Sequence, residues 1–250
     1  MFQGRRGFVR MASVAAGASC LALAACSSAA SSAGAPSATS TADPLASLTA
    51  KQVAAKVIAD AKTVSSLTLD GSISGSNGTE TIHIAIKPGQ GCTGTMGAGS
   101  RGSFKLTKIG DTVYLNPDKK FWEAFGGANA SQVITLVDGR YLKVSSSDKA
   151  MGSLASICDV KQMFSTNGKQ DAIAKGKVTA LDGTRVLALK DTADDSVAYV
   201  TDTSKPQLFE LTSPKGAKDG SGKITVTYDA PVKLIAPPAS QVLDGSQLGL

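Results

Sequence analysis

Histidine is nearly absent from this chain, which has one in 250 residues, along with one tryptophan and 5% aromatic residues. The single histidine, His83, alternates with Ile82 and Ile84, a pattern typical of a solvent-facing residue on a strand. A Ser-His-Asp hydrolase would have to use His83, and the sequence around Ser100 lacks the first glycine of the G-x-S-x-G nucleophile elbow. The sequence therefore predicts a protein that is not an enzyme.

Other motifs for cofactors, metals or nucleic acids are equally incomplete. Residues 97–102 match G-x-G-x-x-G, but they precede a strand pattern at Phe104 rather than a helix, which excludes a dinucleotide site. Residues 146–149 match the catalytic motif S-x-x-K, but the S-D-N and K-T-G elements that accompany this motif in enzymes are absent from the sequence. There is no C-x-x-C, and no basic block of the kind that nucleic acids require. We expect no cofactor, no metal and no nucleic acid.

The chain also lacks a hydrophobic run long enough to cross a membrane. The apolar stretch from Met11 to Leu23 has about 13 residues, whereas a spanning helix needs about 20. It follows Arg5, Arg6 and Arg10 and ends in small residues, which is the layout of a secretory signal peptide. We assign residues 1–25 to that peptide. Removing its three arginines from the net charge of +6 leaves +3 on the mature chain.

The end of this segment, Leu23-Ala24-Ala25-Cys26, resembles the bacterial lipobox. The resemblance implies that Cys26 receives a diacylglyceryl group and becomes the new N-terminus, with further acylation of its amine. Cys20 is the competing candidate, but it has no leucine three residues before it. Acyl chains on Cys26 would anchor the protein to the extracytoplasmic face of the cell membrane.

The export route is left open between two alternatives. Arg5-Arg6-Gly7-Phe8-Val9-Arg10 resembles the twin-arginine export signal, which carries proteins that are already folded. The alternative is an ordinary basic start for the general secretion route, and both routes reach the same compartment.

Residues 26–44 form a tether that contains only Ser, Ala, Thr, Gly and Pro after Cys26, except for Asp43. Such a composition favours a flexible coil spanning about 25 Å.

Residues 45–250 have the length of one secreted domain. Two of the four cysteines remain in it, Cys92 and Cys158, because Cys20 leaves with the signal peptide and Cys26 carries the anchor. An even pair of cysteines in an oxidising compartment predicts a disulfide.

A helix opens this domain and strands dominate the rest. Thr49 and Gln52 have the spacing of a capping box, and Val53, Val57 and later apolar residues continue at helical intervals over about 15 residues. Period-two patterns follow, Asp182-Gly183 signals a hairpin turn, and short helical pieces interrupt the strands between about 118 and 170. The sequence therefore predicts an α+β domain: an N-terminal helix, a large antiparallel sheet and a short helical insert.

This order of elements resembles the actinobacterial cell-envelope lipoproteins of the LppX/LprG type and, more distantly, the LolA-like carriers. The resemblance is carried by the lipobox and by stretches at 67–71, 110–115, 176–186 and 199–206. It implies a sheet curved into a half-barrel over the helix, and a protein that binds or carries a lipid or glycolipid. Cys92 and Cys158 depart from the pattern of the best-studied members, and they resemble instead a set of uncharacterised actinobacterial lipoproteins.

A lipid carrier needs an apolar hollow between sheet and helices, which acyl chains fill with hydrophobic gain. The alternative is a filled core, in an envelope lipoprotein with a non-catalytic structural, sensing or partner-binding role. The candidate lining consists of apolar strand residues and a Phe-Trp cluster: Ile82, Ile84, Ile86, Phe104, Leu106, Tyr114, Phe121, Trp122 and Phe125.

Overall fold

The computed structural model describes residues 43–148, 152–160, 172–217 and 220–245. The predicted signal peptide with Arg5 and Arg6, the lipidation site Cys26 and nearly all of the tether lie outside these ranges. Ala42–Leu250 forms one compact unit, which contains every helix and strand described below. Because this unit has its own buried clusters, it has what a chain needs to fold independently.

The first element is helix α1, Ala50–Ala61, and its start follows from the predicted capping box. The Thr49 hydroxyl accepts the Gln52 N–H at 3.2 Å, and the Gln52 side-chain oxygen accepts the Thr49 N–H at 2.8 Å. Val53 and Val57 lie on the buried face of the helix, as their spacing predicts. The helix has 12 residues, fewer than expected, since Val64 lies beyond its end in the link to the sheet.

Twelve strands form one open, curved sheet in the order β12-β6-β5-β4-β3-β2-β1-β11-β10-β9-β8-β7. All neighbouring strands are antiparallel except β12 and β6, which run parallel. This is the predicted α+β architecture. The strands are β1 (Leu67–Gly75), β2 (Gly78–Lys87), β3 (Gly91–Ala98), β4 (Ser103–Ile109), β5 (Thr112–Pro117), β6 (Tyr141–Ser145), β7 (Ile173–Leu181), β8 (Thr184–Asp191), β9 (Val197–Thr201), β10 (Leu208–Ser213), β11 (Ser221–Tyr228) and β12 (Val242–Asp244).

The sheet has two wings that meet where β1 pairs with β11, with Leu67 opposite Tyr228. The N-terminal wing comprises β1–β6 and β12, and the C-terminal wing comprises β7–β11. Each wing is built mainly from hairpins. The predicted turn between β7 and β8 has Asp182 at φ 49° and Gly183 at φ 76°, as a two-residue hairpin turn requires.

The helical insert covers the inner face of the N-terminal wing, which is the face that carries Leu67, Ile84 and Leu106. It consists of α2 (Lys119–Phe125), α3 (Ala130–Val137), α4 (Gly152–Ala155) and a 3₁₀ turn at Ser156–Cys158. Cys158 forms a disulfide with Cys92 of β3, with Cα atoms 5.2 Å apart. The disulfide ties the insert to the sheet within the largest cluster of buried side chains.

Three strands were not expected from the sequence. β3 contains Gly91, Gly94 and Gly97, so its sequence shows no alternation of apolar and polar residues. β12 has only three residues, too few for a pattern. β6 does alternate, with Leu142 and Val144 buried, so its signal was present but short. Within the described ranges, no helix is both long and apolar enough to cross a bilayer.

Candidate functional site

An apolar pocket of about 240 Å³ lies between α1 and the inner face of the C-terminal wing. Helix α1 provides one wall with Ala54, Val57 and Ile58. The strands provide the other wall, which is apolar except at the end of β8 and the start of β9. The strand residues are Ile173, Leu189, Asp191, Ala198, Val200, Leu208 and Leu211, and Ser196 of the β8–β9 turn completes this wall.

Small side chains explain why the two walls do not close on each other. Ala198 on β9 pairs with Leu189 on β8 and with Leu211 on β10, so a methyl group lies between two leucines on the sheet. The helical wall also has a small residue, Ala54. Side chains on adjacent strands stand side by side, so a short one between two long ones leaves a depression. Apolar walls make that depression favourable for an apolar ligand.

The segment before α1 is fixed to the edge of the C-terminal wing by one lysine. The Lys175 ammonium on β7 donates to the carbonyl oxygens of Leu45, Ala46 and Leu48 at 2.6, 2.9 and 3.1 Å. Leu45 is itself buried, in a cluster with residues of α1, β8 and β9. These contacts set the position of the helix over the sheet and therefore the width of the pocket.

Polar groups of the pocket lie at the β8–β9 turn. The Asp191 carboxylate lines the pocket and accepts the Ala193 N–H at 2.7 Å, while the Ser196 hydroxyl lies 3.2 Å from that of Ser213. Hydrogen bonds from the backbone and side chain of Ser196 hold the pKa of Asp194 below its usual value. The turn is thus internally hydrogen-bonded and acidic.

Two larger surface clefts have a different character. One, of about 410 Å³, is lined by Lys62, Lys108, Ser146 and the Cys158 region. The other, of about 430 Å³, is lined mainly by polar and charged residues that include Asp111 and Lys143. Both offer water a polar surface, so neither has the lining that an acyl chain prefers.

None of the nine residues predicted to line a cavity contributes to the apolar pocket. Five of them pack together in the largest buried cluster under the N-terminal wing, and Ile82 packs against that cluster. The Phe104 and Phe121 rings meet edge to face, with centroids 5.3 Å apart. The five are Ile84, Ile86, Phe104, Leu106 and Phe121.

The other three predicted lining residues are dispersed. Tyr114 pairs with Thr107 and lies on the outer face, because its neighbours Val113 and Leu115 point inward. Trp122 is buried in a separate cluster beneath α3. Phe125 is 49% exposed at the end of α2, with the Arg101 guanidinium 5.1 Å from its ring centroid.

His83 is exposed on the outer face, as predicted, where its Nδ1 pairs with the Asp70 carboxylate on β1. In the described part of the chain, no serine hydroxyl is hydrogen-bonded to this histidine. The glycine-rich residues 97–102 comprise the end of β3 and a 3₁₀ turn, Gly99–Arg101, which leads into β4 rather than into a helix. Among the described residues, no group of three or more His, Cys, Asp or Glu side chains could hold a metal ion.

Solved structures similar to this chain include LprF from Mycobacterium bovis, with 12% identity, a TM-score of 0.49 and coverage of 75% of this chain and 96% of that one. The Mycobacterium tuberculosis lipoprotein LppX has 7% identity and a TM-score of 0.43, with coverage of 74% and 98%. A LolA superfamily protein from Nitrosomonas europaea has 8% identity and a TM-score of 0.22, with coverage of 77% and 96%.

No protein-family model and no curated protein matches the sequence. The solved structures similar to this chain thus include LppX and a LolA superfamily member, the two kinds of protein that the sequence itself resembles.

Proposed function

We propose that this protein is an exported, membrane-anchored lipoprotein that binds or carries a lipid-like hydrophobic ligand in the cell envelope. The observation that supports this function is the apolar pocket between α1 and the C-terminal wing. A binding protein of this kind has no need of catalytic groups. Its ligand would leave water for a surface formed by Val57, Leu189 and Leu211, among others.

The size of the pocket limits both the ligand and its affinity. About 240 Å³ is below the roughly 300–1,000 Å³ of sites that enclose a drug-sized ligand, so it suits part of one apolar chain. Burial of each methylene contributes about 0.8 kcal/mol, and about six of them would contribute about 5 kcal/mol before the cost of association. Binding would therefore be reversible, which a carrier that delivers its ligand requires.

Anchoring would keep this pocket close to the membrane that supplies the ligand. Acyl chains on Cys26 would hold the protein, and the tether of residues 26–44 would allow the domain to move within about 25 Å of the surface. A lipid lifted from the bilayer could then enter the pocket without a long path through water.

The test is native mass spectrometry of residues 42–250, secreted from an actinobacterial host, before and after extraction with organic solvent. We expect a bound lipid-sized mass that extraction removes and that returns on incubation with host lipids. Ala198→Leu fills the space between Leu189 and Leu211 and should abolish this mass. Ala174→Leu adds the same volume at an exposed position of β7 and should leave it unchanged. A domain that stays ligand-free throughout would overturn the proposal.

A second candidate function is docking of a protein partner, and one surface favours it. Phe125 on α2 and Leu136 on α3 are 49% and 50% exposed, and these two helices pack against each other. Each of two neighbouring helices thus exposes a large apolar side chain, and exposed apolar surface of this kind can mark an interaction site. The filled cluster under the N-terminal wing agrees with this alternative, since that half of the sheet needs no ligand to complete it.

A further inference from the structure

We propose that the apolar pocket selects single-chain amphiphiles whose head group is uncharged or cationic and donates a hydrogen bond, and that it discriminates against anionic head groups. This inference rests on the proposed function, because it concerns the ligand of the same pocket. It is carried by two polar residues among the apolar lining, Asp191 and Ser196.

Asp191 is the last residue of β8, where it is half-buried at the polar end of the pocket. Its Oδ1 accepts the Ala193 N–H at 2.7 Å, which fixes the carboxylate and leaves Oδ2 as a further acceptor. Within the described ranges, no lysine or arginine forms an ion pair with Asp191. A hydroxyl or ammonium head could donate to this oxygen, whereas a carboxylate or phosphate head would meet a like charge.

The rest of the turn strengthens this preference. Asp194 and Asp195 follow within four residues, and among the residues that the structure describes one lysine, Lys190, forms an ion pair with them, with Asp195 at 2.6 Å. Hydrogen bonds from Ser196 lower the pKa of Asp194, so that carboxyl is ionised at neutral pH. The turn therefore has an excess of negative charge beside the polar end of the pocket.

Lys175 is the basic residue that could have offset this charge, since it lies on β7 two residues after the pocket residue Ile173. An ammonium group has three hydrogens to donate. In Lys175 they are directed to three carbonyl oxygens, those of Leu45, Ala46 and Leu48. No donor of Lys175 is left for an anionic head group.

The polar residues occupy one end, so a chain lying in the pocket would place its head there and its methylenes along Val57, Leu189 and Leu211. The volume of about 240 Å³ suits one chain rather than two. The selected ligand class is therefore a long-chain alcohol, monoacylglycerol or amine, and the disfavoured class is a fatty acid anion or a phospholipid.

The experiment compares decylamine, decanol and decanoate, which share one chain length and differ in the head group. Displacement of an apolar fluorescent probe from residues 42–250 at pH 8 and physiological salt gives their relative affinities. We expect decylamine and decanol to bind at least about tenfold more tightly than decanoate, a difference of the size that one like charge nearby produces. Asp191→Asn should remove most of this difference by strengthening the binding of decanoate.

Asp195→Asn is the matched control, because it removes the same charge from the same turn at a residue that does not line the pocket. It should preserve the order of the three ligands. If decanoate binds as tightly as decanol in the wild-type domain, or if both variants change the order equally, the selectivity proposal is wrong while the proposed function stands. If none of the three ligands displaces the probe, the pocket does not bind such chains, and both proposals are overturned.

Discussion

Lys175, on the edge strand β7, donates a hydrogen bond of 2.6 Å to the carbonyl oxygen of Leu45, 130 residues earlier in the chain. Two further carbonyls, those of Ala46 and Leu48, accept from the same ammonium group. One side chain therefore connects the segment that leads from the tether with the sheet that forms the pocket. The charge at this edge and a bulge between Lys175 and Val178 also oppose pairing of β7 with another strand.

Lys175→Met should destabilise the domain by about 2 kcal/mol, since it removes three charge-assisted hydrogen bonds. The Leu45 carbonyl oxygen still accepts the Leu48 N–H at 3.1 Å, whereas those of Ala46 and Leu48 lose the lysine donor. Urea unfolding monitored by circular dichroism measures this change. Lys177→Met is the control, because Lys177 lies on the same strand and is exposed. Equal stabilities for the two variants would show that the lysine bridge contributes nothing to folding.

Lipidation is predicted at Cys26 rather than at Cys20. In cells fed labelled palmitate, Cys26→Ser should abolish labelling and release the protein into the medium, because the thiol that receives the diacylglyceryl group is gone. Cys20→Ser should remain labelled and membrane-bound. The opposite pattern would move the anchor to Cys20 and shorten the assigned signal peptide.

The Cys92–Cys158 disulfide closes a loop with a sequence separation of 66. In the simple chain-entropy model, such a loop stabilises the folded state by about 4 kcal/mol. Replacing both cysteines with alanine should therefore lower the urea midpoint strongly, and a reducing agent should shift the wild-type midpoint to a similar value. An unchanged wild-type midpoint after complete reduction would contradict this contribution. The double variant itself should not respond to the reducing agent.

Asp118 caps helix α2 by accepting the Phe121 N–H at 2.8 Å, and it also accepts the N–H and hydroxyl of Ser103. Burial raises its pKa, but these hydrogen bonds and Lys120 outweigh burial and leave the pKa below the ordinary 3.8. A depressed carboxyl pKa stabilises the folded state above about pH 3.8, and this contribution is lost as the pH falls through the folded-state pKa.

Asp118→Ala should accordingly cost about 1 kcal/mol at pH 7, and its difference from wild type should shrink below about pH 3.8. Asp118→Asn keeps a neutral acceptor at the cap, so it should be more stable than the alanine variant at pH 7. Urea unfolding at a series of pH values provides both comparisons. If the difference in free energy of unfolding between wild type and Asp118→Ala increased as the pH fell, the predicted contribution of the ionised Asp118 carboxylate would be wrong.

The exposed pair Phe125 and Leu136 tests the second candidate function. Changing both to serine should alter stability by no more than about 1 kcal/mol, because each side chain is already half exposed. In crosslinking on intact cells, this double variant should no longer crosslink to a partner that docks on α2 and α3, while its lipid binding should be unchanged. Ile235→Ser removes another exposed apolar side chain, 71% accessible, and should retain the crosslink. Crosslinks that survive the double change would exclude this surface.

Local sequence patterns were sufficient for many of the elements. Thr49 and Gln52 specify the start of α1 because a capping box involves only residues three apart. Asp182-Gly183 specifies the hairpin between β7 and β8 because a two-residue turn requires positive φ at both positions. Leu142 and Val144 also alternate, so β6 could have been recognised, whereas the glycines of β3 gave no pattern to read.

The position of the pocket could not be read in this way. The sequence predicted that Ile84, Phe104 and Leu106 line a cavity, but it could not show that side chains of the insert pack against them. Likewise, the alternation around Tyr114 does not say which face is buried; the pairing of Leu115 with Leu106 decides that. Such facts depend on contacts between residues far apart in the chain.

The sequence by itself thus determined the helix, most strands, the hairpin turn and the order that makes an α+β domain, because each depends on neighbouring residues. Tertiary structure alone decided which wing is filled and which is hollow. The hollow exists because Ala198 lies between Leu189 and Leu211, while α1, positioned by Lys175, brings Ala54 to the opposite wall. Under the N-terminal wing, larger side chains such as Ile84, Phe104 and Phe121 pack together in one buried cluster instead.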